Sequence, residues 1–118
     1  MAATVLVVDD QDIVRDVIRI ALENAGYTVL DTASPEDAIA LARADASIEL
    51  LVTDVVMPEM DAFELARRIA QEIPDVRVLY TSGYADARAE GPFLQKPFTP
   101  AQIVEMVGTL LADGSHAA

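Results

Sequence analysis

Three carboxylates, a hydroxyl and an amine recur along this chain, each placed just after a short apolar run. They are Asp9, Asp10, Asp54, either Thr81 or Ser82, and Lys96. If the runs form strands of one parallel sheet, these polar groups meet at one edge of it. Three carboxylates that converge there would repel one another and raise one another's pKa unless positive charge intervenes. Lys96 and a divalent cation are the candidates for that charge.

The donor types indicate which cation and which reaction to expect. A site built from a few oxygen ligands favours Mg²⁺, which binds through a small number of carboxylates and keeps several waters. A metal ion with open positions, an amine and a hydroxyl together suit the transfer of a phosphoryl group, which needs positioning and charge neutralisation. One of the carboxylates can itself be the nucleophile and form an aspartyl phosphate.

The apolar runs before these groups predict the strands that position them. They span residues 5–8, 27–30, 50–53, 76–80 and 93–95. Their hydrophobicity is continuous rather than alternating, as expected of strands that are covered on both faces.

Helical patterns separate the runs. The first has an apolar stripe and ends at Gly26, a typical C′ residue. The stripe consists of Ile13, Val14, Val17, Ile18, Ala21 and Leu22. Later helix starts are indicated by capping pairs, namely Ser34 with Pro35, Asp61 with Glu64, and Thr99 with Gln102. Strand–helix alternation at this rhythm predicts an α/β fold with a parallel sheet and helices on both faces.

Composition limits the class of protein. The 118 residues suit one domain, and 8 basic against 20 acidic residues give a net charge of −12. Such a charge argues against nucleic acid and anionic membrane surfaces as partners. The chain has no cysteine, and its apolar stretches are far too short to span a membrane. We therefore expect a cytoplasmic domain over residues 1–112, with a disordered tail at 113–118 that holds the one histidine, His116.

Taken together, these motifs resemble a known family. The matching residues are Val7-Val8-Asp9-Asp10, Asp54-Val55-Val56-Met57-Pro58, Ser82-Gly83 and Lys96-Pro97-Phe98. Over nearly the whole chain, the sequence is similar to the receiver domains of bacterial two-component response regulators. The resemblance implies a doubly wound (βα)5 fold, with a parallel five-stranded sheet in the flavodoxin-like order 2-1-3-4-5.

The resemblance also implies roles for individual residues. Asp54 would be the phosphoacceptor, and Asp10 and Asp54 would bind Mg²⁺ directly. Asp9 would bind the ion through water, and the backbone carbonyl of Val56 would supply a further oxygen. Lys96 would pair with Asp54 and later with its phosphoryl group.

Two more positions match the family's switch, and two flank the site. Ser82 corresponds to the switch hydroxyl, rather than Thr81, because Gly83 follows it where the family has a small residue. Phe93 corresponds to the aromatic residue that turns inward on activation. Val56 and Tyr84 would lie near the path of the hydrolytic water. Either they fail to orient that water, which makes self-dephosphorylation slow, or they merely cover the site. By the same resemblance the Lys96-Pro97 peptide bond is expected to be cis.

The sequence departs from the family at two places. Ala62 stands where the family usually has glycine, so it is either strained at positive φ or a tolerated change at a helix start. Only 14 positions separate Ser82 from Lys96, which leaves the fourth helix short, at residues 85–90, or absent. Because the family often dimerises through that region, we expect a monomer, or contact through the first helix.

The resulting hypothesis is a single-domain response regulator. It would accept a phosphoryl group from a sensor histidine kinase or a phosphotransfer protein and catalyse only its own phosphorylation and dephosphorylation. It would then signal by contact with a downstream protein or act as a phosphate sink. The alternative is a receiver-like interaction module that is not phosphorylated. A flavodoxin-like carrier is excluded because Asp9 and Asp10 would repel a cofactor phosphate. A metal-dependent phosphohydrolase is disfavoured because it would need a second acid–base group, and the one histidine of the chain lies in the tail.

Overall fold

The computed structural model describes residues 2–83 and 91–114. Its strands are β1 (Thr4–Val8), β2 (Thr28–Thr32), β3 (Ile48–Asp54), β4 (Arg77–Ser82) and β5 (Phe93–Gln95). Its helices are α1 (Asp12–Asn24), α2 (Pro35–Ala44), α3 (Ala62–Glu72) and α4 (Pro100–Gly114). The short helix predicted at residues 85–90 lies outside the described residues, as do Tyr84 and His116. The boundary predicted at residue 112 stays a prediction.

The five strands form one parallel sheet in the order β2-β1-β3-β4-β5, which confirms the predicted topology. Strands β1 and β3 are neighbours in the sheet, with Val8 of β1 opposite Thr53 of β3. On the other side of β3, Asp54 lies opposite Thr81 of β4. The chain reverses its direction of winding at β1, so the carboxyl ends of β1 and β3 border the crevice where ligands of such sheets bind.

Apolar side chains from both faces of the sheet form two cores. On one face they pack against α2 and α3, and on the other against α1 and α4. The largest fully buried side chains include Leu6, Leu51, Leu65, Ile18, Leu22 and Ile103. Because every residue of β1 is buried, the continuous apolar pattern of that strand is explained by coverage on both sides. In the part of the chain that the structure describes, no helix is long and apolar enough to cross a membrane.

The predicted helix starts are formed by the expected caps. The Ser34 hydroxyl accepts a hydrogen bond from the Asp37 amide at 3.3 Å. At the start of α4, Thr99 and Gln102 bond reciprocally, each side chain accepting from the other's backbone amide, at 3.1 and 2.8 Å. These bonds satisfy amide groups that have no partner within the helix.

Ala62 is the first residue of α3, and its side chain is fully buried. No residue other than glycine has a positive φ within residues 2–83 and 91–114. The alternative of a strained Ala62 is therefore wrong, and alanine is tolerated here as a helix-starting residue. The preceding Asp61 caps the helix by accepting from the Phe63 amide at 2.6 Å.

The predicted apolar stripe of α1 is only partly correct. Ile18, Ala21 and Leu22 are buried as expected, but Ile13 is 80% exposed and Val17 is 38% exposed. With Ile20, these two residues follow the spacing i, i+4, i+7 and form a second stripe on the flank of the helix. The stripe predicted from the sequence therefore combined residues of two helix faces, and only the face with Ile18, Ala21 and Leu22 packs against the sheet.

Two glycines provide a matched test of backbone strain. Gly26 has a φ of 100°, whereas Gly108 lies within α4, where an added Cβ would meet the Tyr27 hydroxyl at an ordinary 3.6 Å. We expect Gly26→Ala to lower the free energy of unfolding by about 1 kcal/mol. Gly108→Ala should raise it by roughly 0.5 kcal/mol, because alanine favours the helix. Urea unfolding measures both, and equal effects of one sign would contradict the assigned conformations.

Candidate functional site

The carboxyl ends of β1 and β3 bring three carboxylates together. Asp9 and Asp10 follow β1 directly, and Asp54 is the last residue of β3. One carboxylate oxygen from each lies within 4.8 Å of those of the other two. The convergence predicted from the sequence is therefore present, and the three side chains can share one cation.

Lys96 supplies the positive charge of the cluster. Its Nζ lies 3.0 Å from Asp9 Oδ2, 3.3 Å from Asp54 Oδ2 and 3.2 Å from Gln11 Oε1. An ammonium group has three donors, so these three acceptors use its full capacity. The Lys96 backbone amide donates to the Ser82 carbonyl at 2.7 Å, which fixes the lysine at the end of β5. The Lys96-Pro97 bond is cis, as the family resemblance implies.

Asp9 is held rigidly from several sides. Its side chain is 1% exposed, and its Oδ1 accepts from the Gln11 amide at 2.8 Å while Oδ2 faces Lys96. Its own backbone amide donates to the Thr32 carbonyl of β2 at 3.3 Å. Asp10, in contrast, is exposed. Asp10 and Asp54 line the cleft above the sheet edge and Asp9 does not, so Asp10 and Asp54 are better placed to ligate an ion directly.

Burial is the main electrostatic influence on Asp54. Loss of solvent raises the pKa of its carboxyl, the Lys96 ammonium opposes that rise, and the negative charge of Asp9 adds to it. The Val56 amide also donates to Asp54 Oδ1 at 3.4 Å. A carboxylate with a raised pKa is a stronger nucleophile than an ordinary one, provided that it is ionised when it reacts.

An open cleft of about 510 Å³ lies over these groups. It is lined by Asp10, Gln11, Asp54, Val56, Gly83 and Lys96. The donors facing it are oxygens, apart from the amine, which is the ligand chemistry that Mg²⁺ prefers. The three carboxylates thus fit a magnesium ion by donor type and by mutual distance.

The remaining predicted residues lie at different distances from the reacting groups. Val56 is about half exposed and lines the cleft. Ser82 is buried at the end of β4 and bonds Lys96 through its carbonyl, but it does not line the cleft. Phe93 is partly buried against the core beneath α2 and α3. Their roles in switching stay predictions.

Two residues that contact the site were not predicted from the sequence, Gln11 and Arg15. Gln11 bonds Lys96, and the Arg15 guanidinium donates to the Asp9 carbonyl at 2.8 Å. Gln11 is the N-cap residue of α1, yet its side chain makes no capping bond. A weak capping residue directly after an acidic pair, and an arginine one turn into the following helix, were the available signals.

Comparison with known proteins gives this geometry a family. The model of the response regulator receiver domain matches residues 5–108. The chain belongs to that family. Response regulator receiver domains act in two-component systems, and phosphorylation and Mg²⁺ binding through acidic residues are typical of them.

Similar receiver sequences occur both in a protein of about this length and within a much longer kinase. The response regulator receiver protein CpdR of Brucella abortus is 37% identical, over 94% of this chain and 98% of its own length. The sensor kinase CckA of the same organism is 38% identical over 93% of this chain, which spans only 13% of the kinase. The crystal structure of a receiver domain from the hybrid histidine kinase CckA superposes with a TM-score of 0.83 at 34% identity. That match covers 92% of this chain and 98% of the other.

The raised pKa of Asp54 predicts a dependence of stability on pH. A carboxyl whose pKa rises on folding contributes stability that is fully present below its unfolded pKa and is lost as the pH rises through the folded value. Without divalent cations, the stability of the wild type relative to Asp54→Asn should therefore fall between acid and neutral pH. Asp54→Asn should lose less and exceed the wild type at pH 7. Urea unfolding at several pH values in EDTA measures this.

Asp45 provides a control of opposite sign. Hydrogen bonds from the Ser47 hydroxyl and amide lower the pKa of its carboxyl. Its contribution is therefore present above the unfolded pKa and lost as the pH falls. Asp45→Asn should be less stable than the wild type at pH 7. If both variants shift in the same direction, the effect does not arise from the burial of Asp54.

Proposed function

We propose that this receiver takes a phosphoryl group on Asp54 from the phosphohistidine of a sensor histidine kinase or a phosphotransfer protein, in a reaction that requires Mg²⁺. The observation that carries the proposal is the cluster of Asp9, Asp10 and Asp54 with Lys96 at the open edge of the sheet. No other catalysis is proposed: the receiver promotes only its own phosphorylation and dephosphorylation.

The covalent step is a displacement at phosphorus. A carboxylate oxygen of Asp54 forms the new O–P bond as the P–N bond of the phosphohistidine breaks, and the imidazole leaves with the electron pair and gains a proton. The hydrogen bond from the Val56 amide at Oδ1 and the Lys96 ammonium at Oδ2 fix the plane of the nucleophile. Positioning of this kind is the main contribution that a protein makes to phosphoryl transfer.

The chain's oxygens would hold the metal ion around Asp54. Asp10 and Asp54 would ligate it directly, Asp9 through water, and the Val56 carbonyl would add one more oxygen. When bound, Mg²⁺ supplies positive charge that neutralises the carboxylates and the phosphoryl oxygens. Lys96 contributes a second positive charge, and after transfer its Nζ can exchange the contact with Asp54 Oδ2 for a phosphoryl oxygen. Ser82 would then bond the phosphoryl group from β4 while Phe93 turns inward.

A docking surface for the donor adjoins the cleft. A groove of about 480 Å³ runs along α1 and is lined by Ile13, Val14, Val17, Gly83, Lys96, Pro97 and Phe98. Gly83 and Lys96 line both the groove and the cleft. A partner helix whose apolar face fills the groove would therefore present a phosphohistidine beside Asp54. The exposed side chains of Ile13 and Val17 are the apolar surface that such a helix would cover.

The outer face of α4 favours a monomer. Over residues 100–112 its exposed positions are small or polar, whereas Ile103 and Val107 are buried against the sheet and its other large apolar residues are partly buried there. The exposed positions are Pro100, Ala101, Gln102, Glu105, Thr109 and Ala112. Such a face offers little apolar area for a stable symmetric dimer. The output would then be contact with another protein or the removal of phosphoryl groups from a shared kinase.

The direct test is phosphorylation by a small donor. Wild-type protein incubated with acetyl phosphate and Mg²⁺ should gain the mass of one phosphoryl group, which EDTA prevents. Asp54→Asn should gain none, because an amide oxygen is not a competent nucleophile. Asp75→Asn, an exposed aspartate before β4, should react like the wild type. Intact-protein mass spectrometry at neutral pH measures this. An unmodified wild type would favour the non-phosphorylated interaction module.

The docking surface can be tested separately from the chemistry. Ile13→Ser should slow transfer from a phosphorylated histidine kinase roughly tenfold, since it removes an exposed apolar anchor from the groove. Transfer from acetyl phosphate should change by less than about twofold. Ile20→Ser alters the same helix outside the groove and should slow the kinase reaction less than threefold, by the same reasoning about interface anchors. Equal losses with both donors would show that Ile13 acts on the site itself and not on docking.

A further inference from the structure

Arg15 connects three parts of the molecule at the edge of the site. Its Nη1 donates to the Asp9 carbonyl at 2.8 Å, its Nε to Asp31 Oδ2 at 3.1 Å, and its Nη2 to Asp12 Oδ1 at 2.8 Å. Asp31 belongs to β2, and Asp12 begins α1. The Arg15 side chain is 16% exposed and Asp31 is 28% exposed, so the bond between them is shielded from solvent more than a typical surface ion pair, whereas Asp12 is 80% exposed.

The contact with Asp9 completes the fixation of that residue. The Asp9 amide bonds Thr32, its carboxylate bonds Gln11 and Lys96, and Arg15 bonds its carbonyl. The carbonyl of Asp9 belongs to the peptide unit that leads into Asp10. Holding this carbonyl therefore fixes the orientation of that peptide, which leads into the exposed Asp10 that lines the cleft.

We propose that Arg15 is a positioning residue for the metal ion. Its planar guanidinium clamps the Asp9–Asp10 peptide to Asp31 of β2, and this sets the direction from which Asp10 offers its carboxylate. The inference rests on the magnesium site proposed above and names a determinant of its affinity. Groups that orient metal ligands without touching the metal typically change affinity by tenfold or more when they are removed.

Charge and positioning predict opposite effects for the removal of Arg15. If the guanidinium acted only through its positive charge, its loss would make the surroundings more negative and strengthen Mg²⁺ binding. If it acts by positioning, its loss lets the Asp9–Asp10 peptide turn and weakens binding. Lysine separates the two effects completely, because it keeps the charge but cannot reproduce the planar fork that reaches three acceptors.

Arg19 provides the matched control on the same helix. It pairs with Asp16 at 3.5 Å and with Glu23 at 3.1 Å, both within α1, and is 32% exposed. Its replacement also removes one positive charge and helical ion pairs. These contacts do not reach the peptide between Asp9 and Asp10.

The test is Mg²⁺ affinity measured by calorimetric titration. We expect Arg15→Ala to weaken binding about tenfold, Arg15→Lys about fivefold, and Arg19→Ala less than twofold. Asp31→Asn should weaken it to an intermediate degree, and the Arg15→Ala, Asp31→Asn double variant should lose little more than Arg15→Ala alone, because the two residues act through one contact. The rate of phosphorylation by acetyl phosphate should return to within about twofold of the wild type at saturating Mg²⁺, as expected when only the binding step is affected.

The outcomes separate this inference from the proposal beneath it. A wild type that binds no Mg²⁺ would contradict the proposed function. Wild-type affinity in Arg15→Lys, or tighter binding in Arg15→Ala, would overturn the positioning role while the proposed function stands. A reduced rate that persists at saturating Mg²⁺ would also overturn it. If Arg15→Ala fails to fold, Arg15→Lys and Asp31→Asn decide the question.

Discussion

The structure of this site depends on one electrostatic constraint: two buried carboxylates share a single ammonium. Asp9 and Asp54 are 1% and 6% exposed, and Lys96 lies between them. Two negative charges against one positive charge leave the cluster under-neutralised, and the exposed Asp10 increases the deficit. An unpaired buried charge is costly, so the arrangement favours a further cation. Part of the net charge of −12 is therefore concentrated at the site, where a magnesium ion can neutralise it.

The sheet is what makes this arrangement possible. Its parallel order places the ends of β1 and β3 side by side, and the short β5 brings Lys96 across from the far edge. Helix α1 serves the site twice. Its N-terminal end carries Gln11 and Arg15, which hold Lys96 and the Asp9 carbonyl. Its flank exposes Ile13 and Val17, which line the groove. Catalytic positioning and partner docking thus depend on the same helix.

Most of the fold and the chemical core of the site could be predicted from the sequence. The continuous apolar runs, the caps at Ser34 and Thr99, and the polar residues at the carboxyl ends of β1, β3, β4 and β5 are local patterns with local causes. The errors and omissions have tertiary causes. Whether Ile13 packs in the core depends on how far the sheet extends beneath α1, which no helical periodicity records. The contacts of Arg15 depend on β2 lying next to β1, so that Asp31 comes within reach.

The most direct test of the central claim is a crystal structure of the protein with Mg²⁺ and beryllofluoride, which mimics a phosphoryl group. We predict that beryllium is bound to a carboxylate oxygen of Asp54, that Asp10 and Asp54 ligate the metal ion, and that Lys96 contacts a fluoride. Beryllofluoride on another carboxylate, or a magnesium ion that does not touch Asp10 and Asp54, would contradict the assignment of Asp54 as the phosphoacceptor within a shared metal and ammonium site.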